Sequence, residues 1–204
     1  MSKWAPHLVG LATPLSAIIC LMVGGWWMLL PIILLLGIYP ILDSLGGSTT
    51  VHDVEEEGKG HDFIVHLHGI FVPLVVLALM FRIWDGIGSI SIVIPILSAG
   101  LATGAAGVVA AHELGHRKPK SFSWWLGRLD LFSVLYLHFT TEHNQTHHKH
   151  VATNADPATA RYGESVWWFI ARTVPGQFID AWQIHARRGR LLLMNPVARG
   201  AGFE

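Results

Sequence analysis

The sequence predicts an all-α integral membrane protein, a helical bundle of about four spans with an additional interfacial helix. Of the 204 residues, 51% are apolar and only 14% are charged, whereas a soluble domain usually carries about 25% charged residues. The mean hydropathy is +0.44. Long stretches contain no Asp, Glu, Lys or Arg, and the longest of them covers residues 4–42.

This first uncharged stretch is too long for one span. As a single helix it would measure roughly 58 Å, nearly twice the ~30 Å hydrocarbon core of a bilayer. Because Gly24 and Gly25 offer a break, the sequence predicts a hairpin with spans near 7–23 and 26–42. A cleaved signal peptide is not expected, since the apolar run is too long and no A-x-A site follows it.

Two further spans are predicted near 63–84 and 87–111. The second of these is rich in Gly and Ala, and small residues let helix backbones approach closely in lipid. The aromatic, amphipathic segment 121–138 that follows is predicted to lie at the membrane interface or to form a short span. From Lys149 onward the chain is more polar than the predicted spans.

The charge balance and the single cysteine exclude several classes of function. The formal net charge is zero, so no basic surface for nucleic acid is expected. Cys20 cannot form an internal disulfide, and Cys-based zinc or iron–sulfur sites are excluded. Four basic residues follow the fourth span, and the positive-inside rule predicts that this end and the N-terminus are cytoplasmic. They are Arg117, Lys118, Lys120 and Arg128.

Histidines are concentrated just beyond the fourth span, where seven of the 13 fall between residues 112 and 150. His112 and His116 are four residues apart in AHELGH. The same spacing recurs in EHNQTHH, where His148 directly follows the pair His143 and His147. Residues four apart on a helix project from one face, which suits two ligands of one metal. We therefore expect these five histidines to bind metal.

The first of these motifs also fits H-E-x-x-H, the helical zinc-protease signature, with Glu113 as general base. The metzincin extension fails, because Pro119 and Phe122 stand where it needs Gly and His. A catalytic zinc needs only three protein ligands, so the second histidine motif would have no purpose. A dinuclear iron site with positions open to O2 fits the excess of imidazoles better.

HELGH, followed by EHNQTHH and then VATNADPATAR, resembles the bacterial membrane alkane hydroxylases (alkane 1-monooxygenases). They belong to the histidine-box family that also includes xylene monooxygenase and the fatty acid desaturases. The resemblance implies two non-haem irons, O2 as co-substrate, and hydroxylation of the terminal carbon of an alkane in the bacterial inner membrane. It also implies rubredoxin, with an NAD(P)H-dependent rubredoxin reductase, as electron donor. The implied iron ligands are His112, His116, His143, His147 and His148.

The resemblance is incomplete in one respect. The family carries a third box, H-x-x-H-H, but after His148 only His150 and His185 remain. We therefore expect residues 1–204 to be one incomplete hydroxylase domain, the N-terminal part of a longer protein and inactive alone. A related aryl-methyl monooxygenase or a fatty acid desaturase stays open, since the boxes alone do not separate these activities.

Several polar residues are candidates for orienting a ligand histidine by accepting its second N–H. Asp156 has an alternative role as the N-cap of a helix that begins at Pro157. The role of four further histidines is left open: His66, His68, His138 and His150. The candidate orienting residues are Glu113, Glu142, Asp156 and Asp43. Because no dinucleotide-binding loop is present, electrons must come from a partner, and the four basic residues after the fourth span are predicted to dock an acidic carrier.

Overall fold

The computed structural model describes residues 5–46, 58–88 and 91–194, and every regular element within these ranges is helical. Three helices are long and apolar enough to cross a membrane: Gly25–Gly46, Lys59–Asp85 and Val93–Gly115. The predicted fold class is confirmed, and the chain is an all-α membrane protein. It forms two compact units, Met1–Leu135 and Tyr136–Glu204, which are described in turn.

Within the residues that the structure describes, the first unit contains five helices. A 3-10 turn, Ala5–Leu11, leads into α1, Ala12–Val23, and together they form an apolar segment shorter than the three candidate spans. Gly24, with φ 77°, separates α1 from the next helix, as the sequence predicts. The remaining helices are α2 (Gly25–Gly46), α3 (Lys59–Asp85), α4 (Val93–Gly115) and α5 (Phe122–Ser133).

The helices differ in extent from the predicted segments, and α4 and α5 differ most. α4 begins at Val93 and continues to Gly115, so it includes the start of the first histidine motif. α5 ends at Ser133, and a turn occupies the rest of the predicted interfacial segment. Its N-terminus is capped by Ser121, whose hydroxyl accepts a hydrogen bond from the Trp124 N–H at 3.2 Å.

α1 is tied to α3 by a buried arginine. Arg82 donates from Nε to the Leu21 carbonyl at 2.7 Å and from Nη2 to the Met22 carbonyl at 2.5 Å. The last carbonyls of a helix have no hydrogen-bond donors within the helix. The Arg82 guanidinium supplies donors to two of them at the end of α1. Small and medium apolar side chains of α1, α2, α3 and α4 form the core of this unit: Ala17, Leu21, Met28, Val75, Ala78, Ala99 and Ala102.

α3, α4 and α5 approach one another closely where glycines remove side chains. A Cβ on Gly127 would lie 2.9 Å from the Leu114 Cβ and 3.3 Å from the Ala111 carbonyl oxygen. A Cβ on Gly107 would meet Val72 at 2.7 Å and an Asp130 oxygen at 3.1 Å. These contacts set the position of the α4 C-terminus, which carries the first histidine motif.

In its described part, residues 136–194, the second unit is built on two helices joined by an irregular loop. α6 covers residues 139–150 and contains a π-helical turn at His143–His147. The loop 151–165 leads to α7, Val166–Met194. Arg172 of α7 holds the loop, because its guanidinium pairs with Glu164 at 2.8 Å and donates to the Pro157 carbonyl at 3.0 Å.

The helix predicted to follow Asp156 is not formed, so that interpretation of Asp156 is wrong. Residues 157–165 contain turns and no helix. The Asp156 carboxylate instead accepts from the Ala158 N–H at 2.8 Å and from the Thr159 hydroxyl at 2.6 Å. It thereby closes a local turn of the loop rather than a helix end.

Candidate metal centre

The first histidine pair lies at the C-terminal end of α4. His112 is in the last turn of the helix, and His116 follows its final residue. Their ring centroids are 4.9 Å apart with an interplanar angle of 58°. Both side chains are exposed, so both are accessible to a ligand.

Glu113, between these histidines, belongs to a small ion-pair network. Its Oε1 accepts from Arg117 Nη2 at 3.0 Å, and the same nitrogen donates to the Asp62 carboxylate of α3 at 2.7 Å. This pairing joins the start of α3 to the end of α4 at the first histidine motif, which we call the first box (His112 and His116).

A cavity of about 480 Å³ adjoins this end of α4. Most of its wall is made of small and branched apolar side chains from α3 and α4, and histidines stand around it. Its lining is suited to an apolar ligand, which would lie beside His112. The lining residues are His7, His61, Ile64, Val65, His68, Ala105, Ala106, Val109, Ala110, His112 and Glu113.

The second histidine group is arranged by the π-helical turn of α6. A π-helical turn has i→i+5 hydrogen bonds, so it brings residues five apart onto one face. The rings of His143 and His148 accordingly have centroids 4.4 Å apart, closer than the 5.2 Å between His143 and His147. The sequence spacing of four, read as an ordinary α-helix, does not reveal this arrangement. All three rings are neighbours, since His147 and His148 are 6.0 Å apart.

Asp156 orients His147. Its Oδ2 lies 2.8 Å from His147 Nδ1, and the side chain is fully buried. Burial alone would raise the pKa of Asp156, but hydrogen bonds from Thr159, Ala158 and His147 outweigh it and hold that pKa below its usual value. The ionised carboxylate only accepts, so Nδ1 carries the proton and Nε2 keeps a lone pair for a metal. This donor set fits a metal-binding histidine.

Glu142 is buried beside the second box, but its described hydrogen-bond partner is not a histidine. Its Oε2 accepts from Gln177 Nε2 at 3.1 Å, and Gln177 Oε1 accepts from the Tyr136 hydroxyl at 2.6 Å. Burial, reinforced by Asp156 and Asp180, raises the pKa of Glu142 to about 7. The chain Tyr136–Gln177–Glu142 therefore fixes the start of the second box against α7.

α7 supports the second box at further points, although no motif in the sequence marks this helix. Asp180 accepts from Thr146, Gln145 accepts from Arg188 at 2.7 Å, and Thr141 bonds His185 at 3.1 Å. Gln177 is 35 residues from Glu142 in the chain. No motif spacing links such distant residues, so only the fold reveals the contact.

The histidines that the sequence leaves open have other partners. His66 donates from Nδ1 to the Asp62 carbonyl at 2.6 Å and accepts at Nε2 from Ser123 at 2.8 Å, which uses both ring nitrogens. His68 donates to the Ile64 carbonyl at 3.0 Å and lines the cavity. His138 packs against Tyr136, and burial lowers its pKa. The backbone carbonyl of His150 accepts from Thr153 at 2.6 Å.

Asp43, the last candidate orienting residue, is exposed near the end of α2. No hydrogen bond of its side chain is found among the described residues. Two of the four basic residues predicted to dock an electron carrier make contacts within the protein. Arg117 forms ion pairs with Asp62 and Glu113, and the Arg128 guanidinium lies 3.7 Å from the centroid of the Trp124 ring. Lys118 and Lys120 are the more exposed members of this group.

Comparison with known proteins gives relatives of one kind. The sequence profile of the fatty acid desaturase family matches residues 88–199. Alkane 1-monooxygenase 1 of Alcanivorax borkumensis is 34% identical over 91% of this chain and 48% of its own length. Alkane 1-monooxygenases of Pseudomonas putida and Ectopseudomonas oleovorans are 36% and 34% identical over 87% and 91% of this chain. The chain spans about half the length of these curated relatives.

Proposed function

Because the chain belongs to the fatty acid desaturase family, we propose that the full-length protein is a non-haem di-iron alkane 1-monooxygenase. It uses O2 and external electrons to hydroxylate the terminal carbon of an alkane at the membrane. One observation carries the proposal: a buried aspartate fixes the tautomer of His147 inside a group of three neighbouring histidine rings. The names of the relatives supply the substrate class.

Five side chains of this chain would hold iron, and the third box of the family would complete the site. Two bound irons would supply activation of O2 for insertion of one oxygen atom into a C–H bond. The chain's own residues hold and orient the ligands. Asp156 keeps the proton of His147 on Nδ1, and hydrogen bonds from α7 hold α6 at Glu142, Gln145 and Thr146. The proposed ligands are His112, His116, His143, His147 and His148.

The cavity beside His112 is the proposed alkane site. Ile64, Val65, Ala106 and Ala110 give it an apolar wall, and alkanes partition into the hydrocarbon of the bilayer. An apolar cavity next to a histidine pair supports a substrate that brings no charged group.

We place the histidine boxes on the cytoplasmic side of the bacterial inner membrane and take rubredoxin, with its NAD(P)H-dependent reductase, as the electron donor. The exposed lysines Lys118 and Lys120 support docking of an acidic carrier. Reversing both charges (Lys118→Glu with Lys120→Glu) should slow electron transfer and flatten its salt dependence. Unchanged turnover and salt dependence would contradict this docking site.

An aryl-methyl monooxygenase or a fatty acid desaturase would use the same ligands with a different cavity, and product analysis separates them. A zinc protease is less favoured, since Glu113 is engaged by Arg117 at 3.0 Å.

The decisive experiment is metal and product analysis of the purified full-length protein. We expect two irons per chain and a primary alcohol that carries one atom from labelled O2. His148→Ala should lose iron, whereas His150→Ala, a matched change outside the proposed ligand set, should keep it. Zinc without iron, or equal iron in both variants, would overturn the proposal.

A further inference from the structure

α7 presents a continuous apolar surface on the side away from the second box. Its buried positions are Thr173, Gln177 and Ala181. Between residues 166 and 182, in contrast, every exposed residue is apolar. These residues are Val166, Trp167, Trp168, Ile170, Ala171, Val174, Pro175, Phe178, Ile179 and Trp182. We call this set the outer face of α7.

The outer face is large and rich in tryptophan. It extends over about 25 Å of helix at 1.5 Å per residue. Trp167, Trp168 and Trp182 are 79%, 65% and 68% exposed, and Phe178 is 52% exposed. A soluble surface rarely carries so large an apolar patch without a function in binding.

We propose that the outer face of α7 is buried in the lipid surface, so that α7 lies in the membrane interface as an amphipathic helix. Trp is enriched where its amphipathic ring meets lipid headgroups. The surface is the convex face of one helix, which fits a planar interface. α7 is also absent from the helices long and apolar enough to cross the bilayer within the described ranges, so it is suited to lie on the membrane rather than to span it.

The charged residues of α7 also indicate that the outer face contacts lipid. The exposed positions change from apolar to polar at Gln183, and Arg187 is exposed beyond it. Over its length α7 contains four arginines and one aspartate. A basic helix with an aromatic apolar face matches the sequence pattern of interfacial helices that bind anionic lipid. The consequence for the site is that lipid contact on one side of α7 would steady the hydrogen bonds that its other side makes to α6.

Spin-label accessibility in lipid nanodiscs with anionic lipid tests the proposal. In the full-length protein, Cys20, which is the one cysteine in residues 1–204, and any cysteine outside them are replaced by Ala. Single labels are then placed with Phe178→Cys, Ile179→Cys or Trp182→Cys. Tyr162→Cys, at a fully exposed loop position of the same unit, is the control in water. We expect relaxation by O2 to exceed relaxation by a water-soluble Ni(II) complex at 178, 179 and 182, with the ratio reversed at 162.

Two results would overturn the inference. Greater relaxation by Ni(II) at the α7 positions would mean that the face is in water. Low accessibility to both reagents would mean that protein covers it, whether another part of the full-length chain, a second copy or a partner. Because three positions are labelled, the test can still be read if one of the variants does not fold. The measurement needs neither iron nor turnover, so its outcome is independent of the proposed activity.

Discussion

At the scale of single residues, the proposed site depends on how each imidazole is oriented. The five proposed ligands could be predicted from the sequence, because they occur in two short motifs. Asp156 was predicted only as one of two alternatives, and its contact with His147 is set by the turns of the loop 151–165. Gln177 could not be predicted, since hydrogen bonding to Glu142 depends on how α7 packs.

The orienting role of Asp156 has a direct test in Asp156→Asn. The variant loses the charge that keeps the proton of His147 on Nδ1, so we expect iron affinity to fall by about 10–100-fold, the usual effect of removing such a partner. Competition with a chelator, in the full-length protein, measures it. Thr159→Val is the matched control, because it removes a hydrogen bond to the same carboxylate but leaves the carboxylate itself. Equal iron affinity of Asp156→Asn and the wild type would contradict the role.

A second buried aspartate has consequences for stability. Asp130 on α5 is fully buried, its oxygens have no hydrogen-bond partner among the described residues, and burial raises its pKa to about 8. Its carboxyl is therefore protonated in the folded chain at pH values where the unfolded chain is ionised. The unfolded state then binds fewer protons, so stability falls as pH rises from about 4 to about 8 and levels off above that.

Thermal unfolding in detergent between pH 5 and pH 9 checks this expectation. The wild type should lose stability with rising pH, and Asp130→Asn should flatten the profile and unfold at a higher temperature than the wild type at pH 9. Asp43→Asn, which removes an exposed carboxylate of α2, should keep the wild-type slope. Parallel profiles for Asp130→Asn and the wild type would contradict the assignment.

At the scale of elements, the helices follow from apolar length, but their local form does not. The hydrogen bonds of a π-helical turn span one residue more than those of an α-helical turn, and the sequence EHNQTHH favours neither visibly. Contacts from α7 to both sides of the turn, at Glu142 and Thr146, accompany it. The first box is different, since close packing of α4 against α5 positions it through Gly127.

Gly127→Ala tests that packing. The added Cβ would lie 2.9 Å from the Leu114 Cβ and 3.3 Å from a backbone oxygen of α4, so α4 and α5 must separate. We expect a loss of about 1–3 kcal/mol in the free energy of unfolding, as for other overpacked sites. Gly104→Ala in α4 is the matched control, because nothing lies within 4 Å of its Cβ position. That variant should be neutral or slightly stabilised by its better helix propensity. Equal stabilities for the two variants would show that the close approach is not tight.

At the scale of the whole molecule, apolar composition predicted the membrane fold, and motif order predicted the family. The cavity beside the first box is marked by no motif in the sequence. Its walls come from positions on α3 and α4 that look like any other lipid-facing residues in the sequence. These residues line a cavity only because of how α3 and α4 are placed relative to each other. The small residues of α4 permit this placement, but they do not determine it.

The cavity should limit the length of the alkane that reaches the histidines. Ala105→Phe places a large ring where Ala105 now lines the cavity, so the room for a chain beyond the reacting terminus decreases. We expect the full-length variant to keep its iron and to shift its preference toward shorter alkanes, measured in competition between chain lengths. Gly104→Phe adds the same ring at the neighbouring position, which does not line the cavity, and should keep the wild-type preference. If both variants retain the wild-type preference, the alkane does not occupy this cavity. If both lose iron, the ring disturbs α4 itself, and the smaller Ala105→Leu with Gly104→Leu then separates cavity volume from helix packing.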